Sequence, residues 1–191
     1  MRIVFIGPPG AGKGTQSGKL VSLLRIPHLS TGEMLRDARS KKTAVGRAAE
    51  EYMKAGKLVP DEVVLELVSQ RLAKPDCAGG ALFDGFPRNV AQAQSLDETL
   101  KSAGTPLDLA LELRVDDSVV KQRLNGRGRS DDESAVIAQR LKTYWDQTRP
   151  VLEYYRGHGI LETVDGQGTV DEDFARIAAI IARRQPTRSD G

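Results

Sequence analysis

Apolar positions along this chain follow two rhythms. Short unbroken runs end at glycine or proline, and between them lie longer stretches in which apolar residues recur every three or four positions. Arg2-Ile3-Val4-Phe5-Ile6, stopped by Gly7-Pro8-Pro9-Gly10, reads as a strand buried on both faces. Thr15 to Leu24 has helical spacing, and Ile26 to Leu29 reads as a second short strand. Ser30-Thr31-Gly32-Glu33 places a glutamate three residues after a serine, a capping-box start for a helix. The stretch from there to about Gly56 is helical but poor in large aliphatics, so it is expected to stand outside the core as a small excursion. Pro60-Asp61-Glu62 opens another helix with Val63, Val64, Leu67, Val68 and Leu72 on its apolar side.

The alternation continues to the C-terminus. Ala81-Leu82-Phe83 is a predicted strand, Asn89 to Leu100 a helix, and Leu107 to Val115 a strand. Asp116-Asp117-Ser118 starts a helix ending near Gly126, Ile160 to Val164 is a strand, and Val170 to Ala182 is the last helix. Strands alternating with helices imply an α/β fold with a parallel sheet and right-handed crossovers. No repeat or linker interrupts the pattern, so residues 1–191 are read as one domain with a tail expected to fray from Arg183.

Composition narrows the class. With 28 Lys+Arg against 26 Asp+Glu the formal net charge is +2, and 39% of residues are hydrophobic. Such a balance argues against disorder and against a dedicated nucleic-acid or acidic-membrane binder. The single cysteine, Cys77, excludes an intramolecular disulfide and any zinc site built on two or four cysteines. No apolar run approaches the roughly 18 residues of a membrane span, so a cytoplasmic protein is expected.

The strongest local signal is Gly7-Pro8-Pro9-Gly10-Ala11-Gly12-Lys13-Gly14-Thr15, set between a predicted strand and a predicted helix. Phosphate oxygens need several converging backbone N–H groups, and glycines let the chain curl closely enough to supply them. The helix N-terminus adds positive partial charge, and Lys13 adds a mobile ammonium. Gly14 stands where the usual phosphate-loop pattern has Ser or Thr, which puts direct ligation of magnesium by a loop hydroxyl in question. Alone, the loop leaves kinase, ATPase, GTPase and motor readings open.

Further along, Gly12-Lys13-Gly14-Thr15-Gln16, His28-Leu29-Ser30-Thr31-Gly32-Glu33-Met34-Leu35-Arg36 and Asp84-Gly85-Phe86-Pro87-Arg88 occur in order. With the later arginines, the chain closely resembles the adenylate kinases of the nucleoside monophosphate kinase family, from Met1 to about Ala182. The resemblance implies a three-layer P-loop NTPase fold with a five-stranded parallel sheet, and the reaction MgATP + AMP ⇌ 2 ADP. It implies binding of ATP through Gly10, Ala11, Gly12, Lys13, Gly14 and Thr15, with Arg123, Arg127 and Gly168 near its phosphates or adenine. Arg36 and Arg88 would grip the AMP phosphate, while Arg129 and Arg140 close on the transferring group. Lys13, Arg88, Arg123, Arg129 and Arg140 are thus the expected catalytic set. Arginine suits these roles because its planar fork pairs with phosphate and stays protonated.

The resemblance also assigns the acceptor pocket. Thr31 goes with adenine recognition in the family, Gln92 offers donor and acceptor to the adenine edge, and Lys57-Leu58-Val59 with Gly85-Phe86-Pro87 line the site. Residues 30–59 would form the AMP-binding segment. Bland readings stand beside these: helix capping for Thr31, a capping-box partner of Asn89 for Gln92, and turn capping for Asp84. The functional reading of Asp84 is to hold hydrated Mg²⁺ through water at the C-terminal edge of the sheet. His28 is read as a packed structural residue, His158 as surface and Cys77 as an ordinary loop thiol.

Between Arg123 and Arg140 there is no room for a large lid, and no cysteine tetrad to bind zinc in one, so a short lid over residues 126–132 is expected. The partners implied are ATP, AMP and ADP, with no nucleic acid or membrane, acting on a monomer. Two other readings remain at this point. A UMP/CMP-type kinase would share Asp84-Gly85-Phe86-Pro87-Arg88-Asn89, though Thr31 and Gln92 weigh against it. A nucleotide-dependent switch without transferase activity would leave the arginine set without purpose, and the chain lacks an Asn-Lys-x-Asp guanine motif.

Overall fold

The computed structural model of the chain describes residues 1–125 and 134–184. Among these residues five parallel strands form one sheet: β1 (Arg2–Ile6), β2 (His28–Ser30), β3 (Ala81–Asp84), β4 (Leu109–Arg114) and β5 (Leu161–Asp165), in the spatial order β2-β3-β1-β4-β5. Helices α1 (Lys13–Leu24), α2 (Thr31–Ser40), α3 (Ala44–Lys54), α4 (Asp61–Leu72) and α5 (Val90–Ser102) precede β4. After it come α6 (Asp117–Asn125), α7 (Ser134–Thr143), α8 (Pro150–Gly157) and α9 (Val170–Arg184).

The all-apolar strand runs are explained by two apolar layers, one on each face of the sheet. Val4 and Ile6 of β1 join Ala81 and Phe83 of β3 with α5 and α8, whereas Ile3 and Phe5 join Leu82, Leu109 and Leu111 with α1 and α9. Period-two alternation of Cβ directions sends successive residues to opposite layers, so every position of such a strand must be apolar. The connection after β1 therefore leaves toward one face and that after β3 toward the other. Such divergence opens a crevice at the C-terminal ends of adjacent parallel strands. Here Phe5 pairs in register with Asp84, and Ser30 of β2 flanks Asp84 on the other side.

Three expectations are corrected. The stretch after Ser30 is two helices, broken at Lys41–Thr43, where Lys42 takes a positive φ of 52°. It is also not peripheral, since Leu35, Ala49 and Val59 are buried in the same layer as Val4 and Phe83. Cys77 lies in a short 3₁₀ turn, Pro75–Cys77, and is buried against the same layer.

The third correction concerns residues 134–157, for which the sequence reading offered no element. They form α7 and α8 joined by a π-helical turn, Tyr144–Thr148, closed by a 2.8 Å bond from the Arg149 N–H to the Tyr144 carbonyl. Pro150 has no N–H to continue an α-helical ladder. The wider turn ends one ladder before it, and Pro150 begins the next helix at a position where no N–H is needed. The expected lid over residues 126–132 lies outside the described residues.

Candidate active site

The loop after β1 curls because Gly10 and Gly12 have φ of 85° and 100°. A Cβ on Gly10 would in addition come within 2.7 Å of the Leu124 side chain. Gly12 is the N-cap of α1; no side chain caps that terminus and its first turn carries no acidic residue. Its uppermost N–H groups thus face the cleft with the positive end of the helix, an arrangement suited to anions. The Lys13 ammonium folds back over the loop, donating to the Gly7 carbonyl at 2.7 Å and the Pro8 carbonyl at 3.0 Å.

On the far side of the crevice Asp84 ends β3, and its Oδ2 lies 3.3 Å from His28 Nε2. Burial works to raise the Asp84 pKa, but the His28 contact and the positive charges of Lys13 and Arg88 outweigh it and hold the carboxyl below its usual value. His28 is thus placed against a site carboxylate rather than in the apolar core. Next, Gly85 turns with a φ of 74°, and its carbonyl accepts both the Thr31 hydroxyl and the Arg88 Nε–H at 2.7 Å. The Arg88 backbone is fixed as well: its N–H donates to Gln92 Oε1 at 2.8 Å and its carbonyl accepts the Thr148 hydroxyl at 2.9 Å.

Two adjoining cavities share these residues. The central one, about 880 Å³, is bounded by the phosphate loop, Lys13, Asp84 and the π-turn residues Tyr144 and Thr148. The second, about 600 Å³, lies under α2 and α3 and is lined by Thr31, Lys57, Leu58, Val59 and Gln92. Arg36, Arg88 and Arg140 line both, so three guanidinium groups stand at their junction. A third hollow, on the other side of the phosphate loop, brings together Gly10, Ala11, Gly12, Lys13, Thr15, Arg123 and Gly168. Arg123 ties it down by donating to the Ala11 carbonyl at 2.9 Å and the Gly166 carbonyl at 3.2 Å. The Gly168 N–H donates to Asp173 Oδ1 at 3.1 Å.

Most of the sequence-predicted residues therefore converge, with differences in detail. Phe86 is buried in the apolar layer with Val4 and does not line either cavity, so only its backbone is available there. Pro87 lines the central cavity, after a cis peptide bond from Phe86. Gly14 lies within α1 and lines none of the three spaces. Gln92 is engaged by the protein at both ends of its amide, with Nε2 donating to Asp61 Oδ1 at 2.7 Å. Arg127 and Arg129 lie outside the described residues.

The sequence reading missed Asp61, Thr143, Tyr144 and Thr148. The buried positions Ile137, Leu141, Tyr144, Thr148, Val151 and Tyr155 do follow a helical rhythm. Polar Thr148 and the stop signal of Pro150 concealed it. Oxygen donors at the end of β3 reduce to one depressed carboxylate, and Gly14 supplies no hydroxyl. That suits Mg²⁺, a hard cation that keeps most of its own waters and takes one or two protein carboxylates beside substrate phosphates. Among the described residues no cluster of three or more His, Cys, Asp or Glu is arranged to hold a metal ion directly, and no helix is long and apolar enough to cross a membrane.

Comparison with known proteins accords with this geometry. The adenylate kinase family model matches residues 5–160. The adenylate kinase of Mycobacterium tuberculosis (strain ATCC 25618 / H37Rv) is 51% identical over 176 residues, covering 92% of this chain and 96% of the relative. That of Mycolicibacterium paratuberculosis is 48% identical over 183 residues, 96% of this chain and all of the relative. The adenylate kinase of Stenotrophomonas maltophilia is 46% identical over 185 residues, 95% and 99% of the two chains. A family match over most of the chain, on a parallel α/β fold with a phosphate loop and converging arginines, establishes that the protein belongs to the adenylate kinase family.

Proposed function

We propose that the protein transfers the terminal phosphoryl group of MgATP to AMP, giving two ADP, reversibly. The observation that carries this reading is the junction of two cavities at Arg36, Arg88 and Arg140, one containing the phosphate loop and the other ending at Thr31 and Gln92. ATP enters from the phosphate-loop side, with its chain on the N-terminus of α1 and Lys13. AMP occupies the second cavity, its phosphate held by Arg36 and Arg88 and its base toward Gln92, with Lys57, Leu58 and Val59 along the wall. An oxygen of the AMP phosphate forms the new bond to the γ-phosphorus, and the bond from that phosphorus to the β,γ-bridging oxygen breaks, releasing ADP. The attacking oxygen is already deprotonated near neutral pH because the second phosphate pKa is about 6, so no general base is required.

Positioning and charge neutralisation then carry the rate. Lys13, Arg88, Arg123 and Arg140, joined by Arg127 and Arg129, neutralise the transferring and bridging oxygens. When bound with ATP, Mg²⁺ bridges phosphate oxygens and offsets their charge; Asp84 would hold it through water. The same reading carries a cytoplasmic monomer with a short lid at residues 126–132, acting on free nucleotides without nucleic acid, membrane or zinc. Coupled assays with AMP, CMP and UMP as acceptors test it. AMP is expected to be used far faster than either pyrimidine, and faster CMP turnover would favour the UMP/CMP-type alternative.

A further inference from the structure

We propose that Asp61 is a specificity-determining positioning residue: it locks the amide of Gln92 in the one orientation that accepts a 6-amino purine and rejects a 6-oxo purine. The inference rests on the reading of Gln92 as the residue facing the acceptor base.

A glutamine amide presents a donor at one end and an acceptor at the other, and rotation by half a turn exchanges them. Left free, Gln92 would pair with adenine in one orientation and with hypoxanthine or guanine in the other. Here the ends are distinguished. Oε1 meets the Arg88 backbone N–H, which can only donate, at 2.8 Å. Nε2 meets Asp61 Oδ1, which when ionised can only accept, at 2.7 Å. Exchange would set N–H against N–H and oxygen against carboxylate. The amide is nearly fully buried, at 1% exposure, so solvent cannot repair the mismatch.

Asp61 is itself held. The Asn89 Nδ2 donates to both of its oxygens, at 3.0 and 3.1 Å. Asn89 cannot turn over, because its Oδ1 caps α5 by accepting the Gln92 N–H at 2.8 Å. The orientation of Gln92 thus descends from a helix cap through a carboxylate at the first residue of α4. What remains for the nucleotide is one lone pair on Oε1 and one hydrogen on Nε2. Adenine complements these with its 6-amino donor and N1 acceptor. Hypoxanthine, of the same size, offers a 6-oxo acceptor and an N1–H donor, and meets like with like.

The experiment measures kcat/KM for AMP and for IMP in the same preparation, so that any unfolded fraction cancels from their ratio. Wild type is expected to favour AMP at least about a hundredfold, since sites built around buried hydrogen bonds reject analogues that leave them unpaired. Asp61→Ser keeps a polar helix start but cannot reach Gln92; its AMP/IMP ratio should fall at least about tenfold. Asp61→Asn retains an acceptor oxygen and should stay within about threefold of wild type. A ratio in Asp61→Ser within about threefold of wild type overturns the proposal. Gln92→Leu separates the two levels: if it leaves AMP kcat/KM unchanged, the placement of the base against Gln92 fails, and the role of Asp61 with it. If Gln92→Leu is damaging while Asp61→Ser keeps the ratio, only the role of Asp61 fails.

Discussion

Arg123, on α6, donates a hydrogen bond to the Ala11 carbonyl at 2.9 Å, joining a helix to the crown of the phosphate loop across 112 residues of chain. Its other terminal nitrogen reaches the Gly166 carbonyl at 3.2 Å, so one planar group fastens the loop after β1 to the loop after β5. These two loops flank the hollow that also contains Thr15 and Gly168.

A lysine at position 123 keeps the charge but loses the fork, and cannot hold both carbonyls in the same geometry. Arg123→Lys is expected to raise KM for ATP about five- to tenfold while moving KM for AMP less than about twofold. Initial rates with each substrate varied in turn separate the effects. If Lys restores wild-type KM for ATP, charge alone is what position 123 supplies.

Gly46 illustrates a constraint of packing in the segment that walls the acceptor cavity. A Cβ there would lie 2.1 Å from the Ala38 carbonyl oxygen and 2.3 Å from its carbon, both backbone atoms of α2. That carbonyl is held by the Thr43 N–H at 3.0 Å and the Thr43 hydroxyl at 3.2 Å, so it cannot swing aside. Gly46→Ala should cost at least about 2 kcal/mol, the scale of core overpacking, and lower Tm by several degrees. A thermal melt superimposable on wild type would show that α2 and α3 separate freely.

Asp97 offers a pH-dependent case away from the cleft. Burial raises its pKa, against the Tyr154 hydroxyl bond at 3.0 Å, the His158 charge and the Tyr155 contact, which lower it. A carboxyl raised in the fold favours the folded state when protonated; that contribution is present below the unfolded pKa, about 4, and is lost as pH rises through the folded value. Asp97→Asn keeps an acceptor for Tyr154 without a charge to bury. Its Tm is therefore expected to equal or exceed that of wild type at neutral pH, with the advantage closing below about pH 4. Calorimetry across that range checks the sign, and a clear loss of Tm at neutral pH contradicts it.

Much of this architecture was legible because it rests on local rules. The β1 run and its glycines dictate a buried strand and a tight anion-binding turn whatever surrounds them. What was not legible depends on pairings remote in sequence. Thr31 was weighed as a cap, yet its hydroxyl is spent on Gly85, 54 residues away. Gln92 was weighed between cap and base reader, and its partner Asp61 lies 31 residues back on another helix. No periodicity announces such contacts. The π-turn at Tyr144–Thr148 was hidden for a different reason: it lets a proline stand inside a run of helix where the usual rule ends one.

Arg88 gathers these remote pairings at one point, and its substitution separates fold from chemistry. The side chain is aimed by the Gly85 carbonyl at 2.7 Å, and the backbone is pinned by Gln92 on one side and Thr148 on the other. The two backbone bonds survive any side-chain change, so Arg88→Ala should leave the fold intact, with Tm within a few degrees of wild type. The guanidinium itself stands where both cavities meet. Removing a preorganised donor from such a place costs about 10²–10³ in kcat by analogy with anion-stabilising sites. Arg88→Lys should recover only part of this, because a single ammonium cannot donate to the Gly85 carbonyl through Nε and present a paired fork to phosphate together. Steady-state kcat with a parallel melt decides the matter: a kcat within about threefold of wild type in Arg88→Ala would remove Arg88 from the transfer step.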